Sequence, residues 1–284
     1  MKTLLLSTDF SASGNHAVEY GYHIASCIKA DVVLCSVFLV PSEVPQAGMV
    51  VWPLANYNVL LKDNIDELNY LKNHLASKSY GTDFKPKIDV VNETGQVEEV
   101  IRNIIGLNSI DMVVAGTHRT GLSTLLTGNH AKKLIDFVDR PLLLVPPHAK
   151  IKAPRKLAFA TDFKRPEHDL ELLHSLIPFA KALAAEIYIT HVYNEKNHKD
   201  NFKVWFTQFL TELAKKADYP FIYSKVINSA HAVSGFDKLC KEGEIDMLIM
   251  VHRPHGFFEN LFKGSHTQKM ADHIDIPLLV FSSD

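Results

Sequence analysis

The chain has 284 residues and a mass of 31.9 kDa, enough for two domains of ordinary size. With 46% apolar and 22% charged residues it holds ample core material, which excludes a disordered chain. A formal charge of −2 excludes the basic footprint of a nucleic-acid binder, and three cysteines exclude a disulfide scaffold and suit a reducing compartment.

The first apolar run, Leu4-Leu5-Leu6, meets Ser7-Thr8-Asp9 at once, too short for a signal peptide, and no stretch has the length of a membrane span. A cytoplasmic location is therefore expected. In chain order, residues 2–8 read as a buried strand and 13–29 as a helix, with Ala17, Tyr20, Gly21, Ile24 and Ile28 at helical spacing. Residues 31–38 follow as a strand and 60–78 as a charged amphipathic helix. Then come a strand at 86–91, a helix at 96–105, a strand at 111–115, a helix at 129–138 and a closing strand at 141–145. The second half repeats the order at 156–161, 169–184, 186–193, 199–216, 220–227, 232–242, 246–251, 265–273 and 277–281.

The repetition extends to residues. Thr8-Asp9-Phe10 returns as Thr161-Asp162-Phe163, offset by 153. Asp111-Met112-Val113-Val114 returns as Asp246-Met247-Leu248-Ile249, offset by 135, and Pro141-Leu142-Leu143-Leu144 as Pro277-Leu278-Leu279-Val280, offset by 136. Order and spacing agree at both ends, so the chain is a duplicated domain. The fall in offset gives the first half about 18 extra residues, expected in the Pro-rich segment from Pro41 to Asn58. The Pro- and Lys-rich stretch 146–154 is the expected linker, dividing the chain into domains 1–147 and 155–284. Apolar strands alternating with helices predict an α/β fold: two tandem, doubly wound, five-stranded parallel-sheet domains. Ligands in such sheets bind beyond the carboxyl ends of the strands.

The chemically informative residues lie at those ends. Asp9 and Asp162 each close a first strand, where a carboxylate accepts hydrogen bonds from a sugar or base; capping of the next helix, with Ser11 beside Asp9, is the structural alternative. After the fourth strand runs Gly116-Thr117-His118-Arg119-Thr120-Gly121, ending at Gly128-Asn129. Glycines between a strand and a helix let backbone N–H groups approach a phosphate. The Walker loop is rejected because Leu122-Ser123 stands where Lys-Ser/Thr is required, and the first strand lacks the Rossmann glycines. No nucleophile elbow or defensible catalytic set is present, and Cys27 and Cys35 read as buried thiols.

Strand-ending Thr-Asp-Phe, the Asp-led fourth strand, the Gly-rich loop and the closing Pro-Leu-Leu strand together resemble the universal stress protein family, twice over. The resemblance implies the adenine nucleotide alpha hydrolase-like fold and two halves packed as a pseudo-twofold pair, with 141–145 and 277–281 as the pairing edges. One family branch binds ATP through Gly, two residues, Gly, nine residues, Gly, Ser/Thr. There the strand-one Asp contacts the adenosine, and a Val closing strand two contacts the adenine through its backbone. The matching residues are Asp9 and Val37, then Asp162 and Val192. Gly116 and Gly128 match the first and third glycines, with Thr117 and His118 between them, but the middle glycine is missing and Asn129 replaces Ser/Thr. In the second half Val251 replaces the first glycine, the run Arg253-Pro254-His255 displaces the second, and Gly264-Ser265 survives.

The implied function is a non-enzymatic stress-response regulator that binds ATP or AMP and no metal. Its implied partners are the internal domain pair, a homodimer and a protein the sequence does not name, with no nucleic acid or membrane. Two alternatives stand beside it. One is a nucleotide-free adaptor, with the Phe-rich loop Gly256–Phe262 as its contact surface. The other is a metal-dependent hydrolase using the loop histidines His118, His130, His252, His255, His266 and His273. Zinc requires convergent tetrahedral ligands, and Pro254 interrupts the His252–His255 pair.

Overall fold

The structure, a computed structural model, describes residues 1–38, 53–117, 129–193, 202–229, 232–242, 245–253 and 276–282. The first half holds β1 (Thr3–Thr8), α1 (Ala12–Ile28), β2 (Asp31–Phe38), α2 (Pro53–Ser77), β3 (Ile88–Thr94), α3 (Val97–Leu107), β4 (Met112–Gly116), α4 (Asn129–Phe137) and β5 (Leu142–Val145). The second holds β6 (Lys156–Ala160), α5 (Pro166–Leu183), β7 (Glu186–Tyr193), α6 (Phe202–Lys216), β8 (Ile222–Asn228), α7 (Ala232–Lys241), β9 (Met247–His252) and β10 (Leu278–Ser282).

All ten strands form one sheet in the order β3-β2-β1-β4-β5-β10-β9-β6-β7-β8. Pairing is parallel within each half, as expected of two five-stranded domains. The halves join where β5 and β10 run antiparallel, with Leu144, Leu143 and Leu142 opposite Leu278, Leu279 and Val280. The closing strands are therefore the pairing edges, and they turn two sheets into one. Strand order reverses between β1 and β4 and between β6 and β9, which opens a crevice in each half.

Strand alternation sends Leu4 and Leu6 to one face and Leu5 to the other, and a helix layer covers each side. On one face Leu6, Ile24 and Leu143 belong to the same buried cluster as Phe159, Leu176 and Leu279. On the other, Val113 and Leu142 share a cluster with Ala158, Leu248 and Phe236. Neither core stops at the joint between halves.

Three element boundaries depart from the sequence expectation. β3 starts at Ile88 rather than residue 86, because Pro86 has no N–H for the ladder, and it runs on through polar Asn92, Glu93 and Thr94 because they pair with Ser36, Val37 and Phe38. α2 begins at Pro53, inside the segment expected to be an insertion, with proline in the first turn where a missing N–H is tolerated. At 25 residues against 15 for α6, it carries part of the first half's extra length as helix. α5 begins at Pro166, again using proline to open a helix. The helix expected at 265–273 lies outside the described residues.

The duplicated Asp before the fourth strand has a structural task in both halves. Asp111 Oδ2 accepts from the N–H groups of Lys2 and Thr3, at 2.5 and 3.1 Å, and Asp246 Oδ2 from those of Arg155 and Lys156, at 2.9 and 3.0 Å. Each carboxylate thus staples the start of the neighbouring first strand. Burial alone would raise the Asp246 pKa, but the Lys152 ammonium and the two N–H donors hold it below the ordinary value. A depressed folded pKa contributes stability above the unfolded value that is lost as pH falls through the folded one. Asp246→Ala is expected to lower stability by about 1.5–3 kcal/mol at neutral pH, the range for hydrogen bonds to a charged group. Below about pH 4 the gap from the unmutated chain closes. Urea melts at pH 7 and pH 3 check this, and a gap unchanged at pH 3 would contradict it.

Candidate functional site

The carboxyl ends of β1 and β6 turn in the same unusual way. Phe10 and Phe163 both sit in the left-handed region, at φ 60° and 56°, a conformation that costs a non-glycine residue about 1–2 kcal/mol. The Thr-Asp-Phe repeat supports that turn from both sides. Thr8 Oγ1 accepts the Phe10 N–H and Thr161 Oγ1 the Phe163 N–H, each at 2.9 Å. Asp9 Oδ1 accepts the Ser11 N–H at 3.0 Å, and Asp162 Oδ1 that of Lys164 at 3.2 Å. Ser11, not Asp9, caps α1: its hydroxyl accepts from Gly14 N–H at 3.0 Å and donates to Asp9 Oδ1 at 2.5 Å. The capping alternative is thus divided, with Asp9 bracing the cap from the solvent side.

In the first half this turn borders a cavity of about 150 Å³ at the β1–β4 crevice. Asp9, Val37 and Gly116 line it together with Thr8, Gly14 and Leu134, so three residues far apart in sequence share one space. Glycine is required at Gly116, where a Cβ would lie 2.7 Å from the Ser13 carbonyl oxygen, whereas one on Gly14 would meet the Asp9 carboxylate, a side chain able to turn aside. Backbone therefore approaches backbone where β4 ends and α1 begins, the close approach that phosphate-binding turns use. Thr117 faces elsewhere: it is buried, and its N–H donates to Val145 O at 3.1 Å. Asn129 is the first residue of α4. His118 and Gly128 lie outside the described residues, as do Gly264, Ser265 and the Phe-rich loop.

The corresponding crevice of the second half is filled by its own side chains. Arg253, one residue beyond β9, is 7% exposed, and Asp169, in the first turn of α5, is fully buried. Arg253 Nη2 donates to Asp169 Oδ1 at 2.5 Å and to His168 Nδ1 at 3.0 Å, while Nη1 lies 4.0 Å from Asp162 Oδ1. Asp169 Oδ2 accepts the Thr161 hydroxyl at 2.6 Å, and Asp162 is also paired with Lys164 at 3.2 Å. Counted from the N-caps Ser11 and Arg165, Asp169 matches Asn15, whose Oδ1 accepts the Thr8 hydroxyl at 2.9 Å as Asp169 accepts that of Thr161, so a buried carboxylate stands where the first half has an amide. Val192 is buried against α7, where a Cβ on Gly235 would come within 3.0 Å of it. Arg253 stood out in the sequence as part of the run that displaces the second glycine, whereas Asp169 did not stand out. An Asp in a helix first turn is common, and its partner is 84 residues away.

The other titratable groups have structural surroundings. His191 is buried and donates from Nδ1 to Thr161 O at 2.9 Å, a structural role. His252 Nε2 meets Asp136 of α4 at 3.2 Å, across the joint between halves. Burial pushes the thiols of Cys35 and Cys240 up to about 12, so both stay protonated at neutral pH. Cys27 lies 3.9 Å from His23 Nδ1, a neighbour the sequence reading did not identify; burial raises the thiol and lowers the imidazole, the reverse of an activated pair. Among the described residues no three His, Cys, Asp or Glu side chains converge as metal ligands, and no helix is long and apolar enough to cross a membrane.

The model of the universal stress protein family matches residues 1–146 and again residues 154–282. The chain belongs to the universal stress protein family. A universal stress protein from Archaeoglobus fulgidus superposes on this tandem family member with a TM-score of 0.65 at 14% identity, covering 99% of this chain and 96% of that one. A putative universal stress protein from Pseudomonas aeruginosa gives a TM-score of 0.54 at 10% identity, with 99% and 93% coverage. The cytoplasmic domain of a prokaryotic cation chloride cotransporter gives 0.51 at 12% identity, with 98% and 94% coverage. At these identities the likeness is one of fold. No curated protein matches the chain in sequence.

Proposed function

We propose that this universal stress protein is a non-enzymatic stress-response regulator that binds one adenine nucleotide, ATP or AMP, in its first half. The observation that carries this reading is the cavity at the β1–β4 crevice. It brings Asp9, Val37 and Gly116 together, and a Cβ at Gly116 would strike backbone. Asp9 is exposed at its edge, and the approach of Gly116 to α1 leaves backbone where phosphates bind. The second half is assigned no nucleotide, because Arg253, just beyond β9, is buried against Asp169 and lies beside Asp162. For that half alone the adaptor reading is favoured. The hydrolase reading gains no support, since His252 is engaged with Asp136.

Calorimetric titration with ATP and with AMP tests the proposal. One equivalent per chain is expected, and ligand at about 100 times its dissociation constant should add ~2.7 kcal/mol of stability. Asp9→Ala should abolish the thermal shift, and Asp162→Ala should leave it intact. No shift with either nucleotide at millimolar concentration would sink the reading, and loss of binding only in Asp162→Ala would move the site to the second half.

A further inference from the structure

The sheet ends at β3 on one side and at β8 on the other, since β5 and β10 pair with each other. An open edge is a row of unpaired N–H and C=O groups, which proteins commonly guard with charge. β3 is guarded. Asp89 and Glu93 stand exposed along it, Lys87 is paired with Asp89, and no large apolar side chain of the strand is exposed. β8 is not. From Tyr219 to Asn228 the only charge is Lys225, while Phe221, Tyr223 and Val226 are 50%, 42% and 46% exposed.

Backbone geometry fixes which groups face outward. Phe221 O accepts the Ile187 N–H at 2.9 Å, and the Ser229 N–H donates to Tyr193 O at 3.0 Å, so the odd-numbered residues of the strand turn toward β7. The register against β7 is unbroken, and neighbouring residues point their N–H and C=O groups to opposite sides. Ile222, Ser224 and Val226 therefore aim theirs out of the sheet. Their side chains share the α6 face, where Ile222 packs with Leu213 in one cluster. Tyr223 lies on the other face against Tyr188, with ring centroids 5.4 Å apart. On the α6 face a groove of about 780 Å³ opens beside the strand, lined by Leu210, Leu213, Ile222 and Ser224.

We infer that β8 is the docking edge for a second copy of this chain, strand against antiparallel strand about a twofold axis through Ser224. Only registers that set outward residues opposite outward residues form a ladder. Lys225 opposite itself would oppose two ammonium groups. Tyr223 opposite itself would bring Pro220, which has no N–H, opposite Val226. Val226 opposite itself would leave Phe221 and Tyr223 uncovered. Ser224 opposite itself avoids all three. It sets Ile222 against the partner's Val226 beside the α6 groove, Tyr223 against the partner's Lys225 as a cation near an aromatic ring, and Phe221 against the partner's Ile227. Ile222, Ser224 and Val226 then make about six hydrogen bonds across the axis. Aromatic side chains offer about 150–250 Å² each, so the covered surface is on the order of 1,000 Å² over both copies. That is the size of a weak, reversible dimer, with a dissociation constant on the order of 10 µM. The inference does not depend on nucleotide binding in the first half.

Sedimentation of the full chain between about 1 and 500 µM should show a monomer–dimer equilibrium. Raising the concentration should slow amide exchange at Ile222, Ser224 and Val226 and leave Tyr223 and Lys225, already turned toward β7, unchanged. Ser224→Pro removes an outward N–H that the ladder with β7 does not use, and Val226→Lys sets a charge at an exposed position. Both should keep the melting temperature of the dilute protein and weaken association at least about tenfold. Glu93→Lys, on the opposite edge, should leave association intact. A monomer at the highest concentration overturns the inference and leaves the edge to an extended segment of a different protein. So does a dimer unchanged in both β8 variants, and so does one broken by Glu93→Lys alone, which would put the contact on β3.

Discussion

Arg253→Met is expected to destabilise the protein by about 3–5 kcal/mol, the cost of breaking a buried ion pair from one side. Asp169 is fully buried, and without the guanidinium its carboxylate keeps only the Thr161 hydroxyl among its hydrogen bonds at hand. The penalty is the stranded charge rather than the worth of the pair itself. Arg253→Met combined with Asp169→Asn should therefore recover at least half of the loss, since asparagine still accepts from Thr161 and buries no charge. Urea unfolding of the three proteins measures this. A double variant as unstable as the sum of the two single variants would mean that the two side chains act independently and do not close the crevice as a unit.

Leu279→Ala should cost about 2–5 kcal/mol, the range for a large-to-small change in a packed core. Leu279 is fully buried in β10, opposite Leu143 of the first half on one side and Ile249 of its own half on the other. Its cluster crosses the joint, so the loss should reach both halves. Amide exchange in β1 and β4 should accelerate together with that in β6 and β9, and thermal unfolding should remain a single transition. Protection lost only in the second half would show that the two cores are energetically separate despite the continuous sheet.

The duplication and the α/β alternation were legible in the sequence because each is written locally, whereas the joining edges were expected from the family resemblance. Apolar runs such as Leu142–Leu144 and Leu278–Val280 have no polar face to show solvent, so they belong in the interior of a sheet. The same reasoning missed the ends of β3 and α2. Asn92–Thr94 is polar and becomes strand only because β2 offers a ladder to pair with, and the Pro-rich segment hid a helix start that proline opens as readily as it breaks. Among the expected first-half ligand residues, Asp9, Val37 and Gly116 share the described cavity, whereas Thr117 turns toward Val145. Local pattern carried no sign of that last orientation.

The amino-acid sequence by itself determined the architecture and its symmetry: two copies of one unit, each with a Thr-Asp-Phe turn and a fourth strand led by aspartate. Tertiary structure decided where that symmetry fails. Asn15 and Asp169 each accept the hydroxyl of their own half's Thr, but Asp169 also meets Arg253 across 84 residues of chain. Secondary structure follows from periodicity, which neighbours in sequence can express. An open or a filled crevice depends on which side chains converge from distant elements, and that is settled by packing.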